Sequence, residues 1–329
     1  MPERQLQKIG KPSLVKDRLY SGCHYQRIRG IGKCHISCAS TQARLAILLL
    51  AACFVAANPA ATQAQTSSPA PGPGQPAATP TATDLAKAIQ NPLGDLYYVP
   101  FQLDTNFNYG PNKRPQNILN VQPVIPIHIN ADWNIITRTI LPLVWNPSLQ
   151  PAQSVPFGSA PVTLSAFLSP SAPVNGWLWG VGPVAEVPLA SSDTLGSNVW
   201  GGGASAVIVK LAGPWVAGAL INNVWSFGGH NGPTGTAAGG TRYNVMTIEA
   251  GASYNFGNGW YLSSAPVITA NWLERGDRAW TVPIGGGIGR VIMLRGVLPV
   301  SISVEAYWNA LHPPYGSPWQ LLTQVTIIF

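Results

Sequence analysis

Apolar and polar residues alternate along most of the chain from residue 97 to its end. In the segment Trp319–Phe329, for example, Val325, Ile327 and Phe329 fall on one side and Gln324 and Thr326 on the other. Successive side chains of a β-strand point to opposite faces, so this alternation predicts strands with one apolar face. Twelve runs predict strands in an all-β protein, at 97–109, 117–129, 133–145, 162–169, 177–188, 199–210, 215–227, 243–256, 260–272, 279–291, 298–309 and 317–329.

The connections between these predicted strands differ in length with the parity of the strand. Short turns follow strands 2, 6 and 8, at 130–132, 211–214 and 257–259. Long loops follow strands 1, 3 and 7, at 110–116, 146–161 and 228–242. Short turns at one end and long loops at the other are typical of outer-membrane barrels. The sequence therefore predicts a transmembrane, antiparallel, up-and-down barrel in the outer membrane of a Gram-negative bacterium. An even number of strands places both termini on the periplasmic side.

Aromatic residues on the apolar faces support this interpretation, because four odd-numbered strands carry them twelve residues apart. The pairs are Tyr97 with Tyr109, Trp133 with Trp145, Trp215 with Phe227, and Trp260 with Trp272. Twelve residues of a tilted strand span about 30 Å along the membrane normal. Aromatic rings prefer the two membrane–water interfaces, so the pairs predict two girdles in contact with outer-membrane lipid.

If the apolar face contacts lipid, the opposite face lines the lumen. The charged or titratable residues on that face are Asp104, His128, Arg138, Glu186, Glu249 and Glu305. A charge facing lipid near the midplane costs about 2–4 kcal/mol, so charges in mid-strand should point inward. Two interpretations stay open. The lumen is a polar pore, or it is filled by salt bridges such as that of Arg138 with Glu186 or Glu249. In an open pore, four carboxylates against one arginine predict a preference for cations.

Arg290 departs from the alternation, because it falls on the lipid-facing side near the end of a strand. It can extend to the interface, or a bulge at Gly285–Gly287 can shift the register. The sequence GGGIG at 285–289 is no nucleotide-binding loop, because no helical pattern follows it. These glycines instead allow strands to bend or to pack closely.

The formal net charge of +7 arises in the N-terminal segment. Residues 1–57 hold nine Lys or Arg and two Asp or Glu, whereas residues 58–329 hold ten of each. The basic excess therefore does not indicate nucleic-acid binding. Arg44, the apolar run Leu45–Ala57 and the small residues after it predict a secretory signal. Its basic region is unusually long, which also allows a misassigned start. Cys53 fits a lipidation motif, but ordinary cleavage is favoured because the apolar run continues past it.

A linker and a short helix are predicted between the secretory segment and the barrel. Residues 58–82 are rich in Pro, Ala, Thr and Ser and predict a disordered linker. Residues 83–96 predict a short periplasmic helix, with Thr83 or Asp84 as N-cap and Pro92 as its stop. The barrel then occupies 97–329. All four cysteines lie within 1–57, so the weak metal-binding spacing of Cys34 and Cys38 falls in the predicted secretory segment. No metal site and no cofactor are predicted.

Several phrases resemble one family of bacterial outer-membrane proteins. They are NILNVQPVIPI (117–127), WNIITRTILPL (133–143), GPVAEVPLAS (182–191), PWVAGALINNVWSFGG (214–229), WYLSSAPVITANW (260–272) and WTVPIGGGIGRV (280–291). That family is described as transporters, is named for the MetA pathway of phenol degradation, and is often mislabelled neuromedin U. The resemblance implies an outer-membrane barrel and points to aromatic or hydrophobic solutes, but it implies no site residues. The C-terminal Phe329 is similar to the signal read by the barrel-assembly machinery.

The first functional hypothesis is a channel for passive passage of small solutes, and no enzyme is predicted. A hydrolase with its site in the outer loops is the alternative, since a Ser–His pair requires hydrogen-bond contact. It would use His230, with Ser197 or Ser226 brought near by the fold. A closed structural or adhesive barrel with loop 228–242 as contact surface is the third possibility.

Overall fold

The computed structural model describes residues 80–147, 157–192, 194–228, 241–294 and 298–329. The predicted secretory segment 1–57, most of the predicted linker, His230 and most of loop 228–242 lie outside the described residues. Within the described ranges, no helix is long and apolar enough to cross a membrane.

The described part of the chain consists of one α-helix, one 3-10 turn and fifteen strand segments. The helix is α1 (Ala82–Ile89) and the 3-10 turn is Gly276–Ala279. The strand segments are β1 (Tyr98–Tyr109), β2 (Arg114–Val121), β3 (Val124–His128), β4 (Trp133–Trp145), β5 (Phe157–Ser159), β6 (Val162–Pro170), β7 (Trp177–Val187), β8 (Gly201–Ala212), β9 (Trp215–Ser226), β10 (Asn244–Gly257), β11 (Trp260–Ser264), β12 (Val267–Asn271), β13 (Trp280–Leu294), β14 (Leu298–Leu311) and β15 (Trp319–Ile328).

The strands form one closed antiparallel barrel. Each crossing pairs with its neighbours in the sequence, and the last segment β15 pairs with β1 from Tyr98↔Ile328 to Phe107↔Trp319. Counting β2 with β3, β5 with β6, and β11 with β12, the barrel has twelve strands. Closure pairs the backbone groups that hydrocarbon cannot solvate. The prediction of an all-β, up-and-down barrel of twelve strands is confirmed.

Prolines interrupt three of the twelve strands. The breaks lie at residues 122–123, 160–161 and 265–266, and Pro123, Pro161 and Pro266 take the second position of each. Proline has no N–H to donate to the ladder, so pairing stops there. The amide before each proline finds another acceptor. Gln122 N donates to Pro100 O at 2.9 Å and Ala160 N to Pro142 O at 3.0 Å. Ala265 N donates to the Tyr307 hydroxyl at 2.9 Å, inside the lumen.

The observed strands overlap the predicted ones, and they differ mainly in where each strand begins or ends. The predicted strand 133–145 is observed as β4 with the same bounds. The predicted long loop 110–116 is wrong, because β2 already begins at Arg114 and leaves a four-residue turn. Gly110 and Lys113 take positive φ values of 74° and 50° and close that turn. Gln116, assigned to the loop, is instead a buried strand residue.

The eight predicted girdle aromatics lie on or next to the outer wall. Trp133, Trp215 and Trp260 begin strands at the short-turn end, whereas Trp145 ends a strand at the opposite end. Trp133 packs edge-to-face on Trp179 with ring centroids 5.8 Å apart. Tyr97, Trp215, Phe227, Trp260 and Trp272 are exposed, and Tyr109, Trp133 and Trp145 are half-buried. Their role as membrane anchors stays a prediction.

Arg290 lies on the outer surface over the Trp260 ring, with its guanidinium carbon 4.9 Å from the ring centroid. A cation over an aromatic face is favourable, which explains how the arginine is tolerated near the interface. The suggested bulge at Gly285–Gly287 is wrong. The register shift of β13 lies between Val282 and Pro283, where proline again removes a donor.

Helix α1 begins at Ala82, and its N-cap lies two residues before Thr83, the earlier of the two predicted N-cap positions. Thr81 is the N-cap, since its hydroxyl accepts from Asp84 N at 3.2 Å and Asp84 Oδ2 accepts from Thr81 N at 3.1 Å. This reciprocal capping box satisfies two helix-end donors. The Thr81 hydroxyl also donates to Asp84 Oδ2 at 2.6 Å, and this bond, together with that from Thr81 N, holds the pKa of the Asp84 carboxyl below its usual value. The cap is therefore complete above the ordinary aspartate pKa and is lost as pH falls through the lowered pKa.

Candidate functional site: the lumen

A cavity of about 780 Å³ occupies the inside of the barrel. Ile89, Gln90 and Pro92, from α1 and the turn after it, line its floor at the short-turn end. Asn106 and Gln320, near the ends of their strands, line it towards the long-loop end. This volume is within the range of small-molecule sites in proteins.

An ion pair bridges the middle of the lumen. Arg138 Nη1 donates to both carboxylate oxygens of Glu249, at 2.9 Å each. Arg138 lies on β4 and Glu249 on β10, which are separated by five steps around the twelve-stranded wall. Both side chains therefore extend across the cavity and meet. The sequence left Glu186 and Glu249 open as partners of Arg138, and the structure shows the pair with Glu249.

A chain of amide side chains continues from this ion pair along the wall. Arg138 Nη2 donates to Gln122 Oε1 at 2.7 Å, and Gln122 Nε2 donates to Gln102 Oε1 at 3.1 Å. Gln102 Nε2 and Asn120 Nδ2 then donate to the Asp104 carboxylate, at 2.9 and 2.8 Å. Both donors to Asp104 are neutral amides, so neither of these contacts compensates the carboxylate with a positive charge.

Glu305 forms a second carboxylate site on the wall. The hydroxyls of Ser263 and Tyr307 each donate to one of its oxygens. The Tyr307 hydroxyl also accepts from Ala265 N, which connects Glu305 to the proline break between β11 and β12, two strands away across β13. Glu305 is only 7% exposed, and the described donors to its carboxylate are again neutral groups.

The two carboxylates lie at the same level of the barrel. Asp104 on β1 and Glu305 on β14 both pair with Leu322 of the strand between them. Adjacent strands are 4.7–4.9 Å apart, so the two backbones are separated by roughly 10 Å. Gly287, the partner of Glu305 on the other side, contributes no side chain. Two carboxylates therefore face one stretch of the cavity.

The other two predicted lumen residues lie away from the centre. His128 ends β3 at the short-turn rim, where Nε2 lies 2.9 Å from Asp95 Oδ2 and both side chains are more than half exposed. Glu186 lies at the long-loop end of β7, paired with Gly201. A Cβ at Gly201 would lie 2.2 Å from the Tyr243 hydroxyl, which therefore covers this position.

Sequence reasoning missed the floor of the cavity. The segment 83–96 was predicted as a periplasmic helix, but α1 and the following turn lie in the mouth of the barrel. Leu85, Ala86 and Leu93 are buried there in one cluster with lumen-facing wall residues. The apolar residues Leu85, Ala86, Ile89 and Leu93 recur at helical spacing, and this signal could have indicated a packed face.

A metal site and the surroundings of the two described histidines are the remaining candidates for chemistry. Among them, no group of three or more His, Cys, Asp or Glu could hold a metal ion. The His128 ring contacts Asp95, and His312 Nδ1 lies 2.9 Å from Pro313 O.

No family model and no curated protein matches the sequence. Solved structures do match. An outer-membrane channel from Pseudomonas putida F1 is 13% identical, covers 71% of this chain and 94% of its own, and superposes with a TM-score of 0.52. The chain has the fold of an outer-membrane β-barrel. The NanC porin is 8% identical over 71% and 98% of the two chains, with a TM-score of 0.44. The Ralstonia pickettii toluene transporter TbuX is 10% identical over 74% and 93%, with a TM-score of 0.36.

Proposed function

We propose that this chain is an outer-membrane channel through which small solutes pass passively. The cavity of about 780 Å³ inside a closed wall carries this proposal. The wall is apolar outside, where many large apolar side chains are exposed, and polar inside. A barrel of this kind is stable in a bilayer and provides a polar path across it.

The lining defines which solutes this path favours. Amides, hydroxyls and carboxylates of the wall can exchange hydrogen bonds with a passing solute, while the Arg138–Glu249 bridge limits its size. Apolar lining residues such as Val216 and Leu220 lie deeper, near α1. The proposal therefore extends to small solutes with both polar and apolar groups, which includes aromatic compounds with polar substituents.

Planar-bilayer conductance of the purified full chain tests the channel proposal. Discrete, reproducible current steps are expected, because a cavity of about 780 Å³ with a polar lining has room for water and ions. A folded protein that stays silent under all voltages, and after disruption of both the ion pair and the α1 contacts, would overturn it. Folding is checked separately by the different gel mobility of unheated and heated samples.

Ion selectivity provides a sharper test. The Asp104 and Glu305 carboxylates are stabilised by neutral donors, so their negative charge acts on the cavity, whereas Glu249 is compensated by Arg138. We expect a cation preference, measured as a reversal potential in a salt gradient. The double variant Asp104→Asn with Glu305→Gln should lose most of it, because charges in a narrow low-dielectric lumen act strongly on ions.

Glu186→Gln is the matched control, since it makes the same chemical change to a carboxyl group at the end of the barrel, and it should change the reversal potential less. An anion preference of the unaltered protein would contradict the prediction.

A further inference from the structure

The segment Thr81–Leu96, called here the plug, lies across the short-turn mouth of the barrel. Leu85 and Ala86 of α1 are 9% and 0% exposed and belong to one cluster with lumen-facing wall residues. Leu93 reaches the opposite part of the wall, since a Cβ at Gly180 would lie 3.0 Å from Leu93 Cδ2. The wall residues in this cluster come from most of the barrel: Tyr98, Val124, Ile136, Phe167, Leu178, Val207, Val209, Val216, Leu220, Tyr261, Val291 and Ile328.

Side chains attach the plug to the wall at three places. Gln90 and Asn255 exchange two amide hydrogen bonds, of 3.2 and 3.0 Å. Gly259 N donates to Thr83 Oγ1 at 3.2 Å. Asp95 pairs with His128 at the rim, where both side chains are more than half exposed. Exposed ion pairs contribute little to stability, so this last contact is weak.

The backbone of the plug is hydrogen-bonded within itself. Leu85 N donates to Thr81 O, Gln90 N to Ala86 O, and Gly94 N to Asn91 O. The capping box of Thr81 and Asp84 completes the helix start without help from the wall. By contrast, each wall strand is joined to its neighbours by a backbone ladder. The described contacts that hold the plug in the mouth therefore involve side chains, and no backbone ladder joins it to the wall.

We propose that the plug is a removable gate: α1 and its turn block the short-turn mouth when seated, and their release opens the lumen to that side. The inference rests on the proposed channel function for its consequence, but the movement itself can be measured independently. Ile89, Gln90 and Pro92 form the floor of the cavity, so a solute in the lumen meets the plug before it meets the periplasm.

Accessibility of a wall position under the plug tests the movement. Val209 is 1% exposed and belongs to the cluster with α1. In the full chain, with Cys23, Cys34, Cys38 and Cys53 changed to serine, Val209→Cys is labelled by a water-soluble maleimide. Labelling should be slow but complete, and Leu85→Ser should accelerate it by roughly tenfold or more, because the helix loses its main buried apolar side chain.

Two controls separate plug release from general loosening of the barrel. Lys87→Gln changes the same helix on a residue outside the buried pair and should leave labelling of Val209→Cys unchanged. A cysteine at Gly228, where an added Cβ has no described atom within 4 Å, should react equally fast in every background. Equal labelling of Val209→Cys in the Leu85→Ser and Lys87→Gln backgrounds would overturn the gate.

Conductance then tests whether release opens the path. Leu85→Ser should increase the open probability. A short bifunctional thiol reagent joining Gln90→Cys to Asn255→Cys should decrease it, and reduction of the link should restore it. Accelerated labelling with unchanged current would show that the plug leaves without controlling passage, which also overturns the gate. Silence of every variant would contradict the channel proposal, and labelling would still decide whether the plug moves.

Discussion

Alanine in place of Gly287 is expected to destabilise the closed barrel wall and to lower the folded fraction of the protein. A Cβ at this position would lie 1.9 Å from Val304 O and 2.6 Å from Glu305 Cα. Both atoms belong to the backbone of β14, the partner strand of Gly287, so no side chain can rotate away. The clash of the added Cβ with β14 can be relieved only if β13 and β14 move apart, and both strands are part of a closed ring. Overpacking of a protein interior typically lowers the free energy of unfolding by about 1–3 kcal/mol and sometimes by more. We expect the loss for Gly287→Ala to lie at the upper end of this range.

The measurement is the folded fraction of protein assembled in membranes or refolded in detergent. It is read from the mobility of unheated samples on a denaturing gel and from the urea midpoint. Gly228→Ala is the matched control, because the same methyl group there contacts no described atom within 4 Å. Gly228→Ala should fold as the native chain does. A native mobility and urea midpoint for Gly287→Ala would show that β13 and β14 are packed less closely than the structure indicates.

The predictable part of this fold follows from the two solvents that the wall separates. Lipid outside and water inside impose alternation on every strand, which is why β4 was predicted with its observed bounds. The same logic predicted that Asp104, Arg138 and Glu249 face inward. The breaks at Pro123, Pro161 and Pro266 carried a signal as well, since a proline within a run interrupts ladder pairing.

The unpredicted part depends on the three-dimensional stagger of the strands. The stagger between neighbouring strands, added over the whole barrel, decides whether Arg138 contacts Glu186 or Glu249. The alternation of apolar and polar residues within a strand does not determine this stagger. The position of α1 could not be predicted for a similar reason. The mouth of the barrel that it fills forms only when the strands have closed into a ring. Tyr307 falls on the polar face of its strand, but its contact with Ala265 N depends on the break between β11 and β12, which lies two strands away.

Removal of the Arg138–Glu249 bridge is expected to give the largest change in passage. The pair crosses the cavity between strands on nearly opposite sides of the barrel, so it divides the lumen. The double variant Arg138→Ala with Glu249→Ala removes both side chains and leaves no uncompensated charge. Its conductance, and its permeability to solutes too large for the native channel in liposome swelling, should rise several-fold. Thr247→Ala, two residues from Glu249 on the same strand, is the control for a small loss of lining volume.

The two single variants should shift ion selectivity in opposite directions, because each leaves one charge alone. Arg138→Met leaves the Glu249 carboxylate uncompensated and should strengthen the cation preference, whereas Glu249→Gln leaves the Arg138 guanidinium and should weaken it. Breaking a fully buried pair costs roughly 3–5 kcal/mol. The cost here should be smaller, since Arg138 and Glu249 are 18% and 26% exposed to the cavity. A double variant with native conductance would mean that the bridge does not limit flow, and the narrowest point would then lie at the plug.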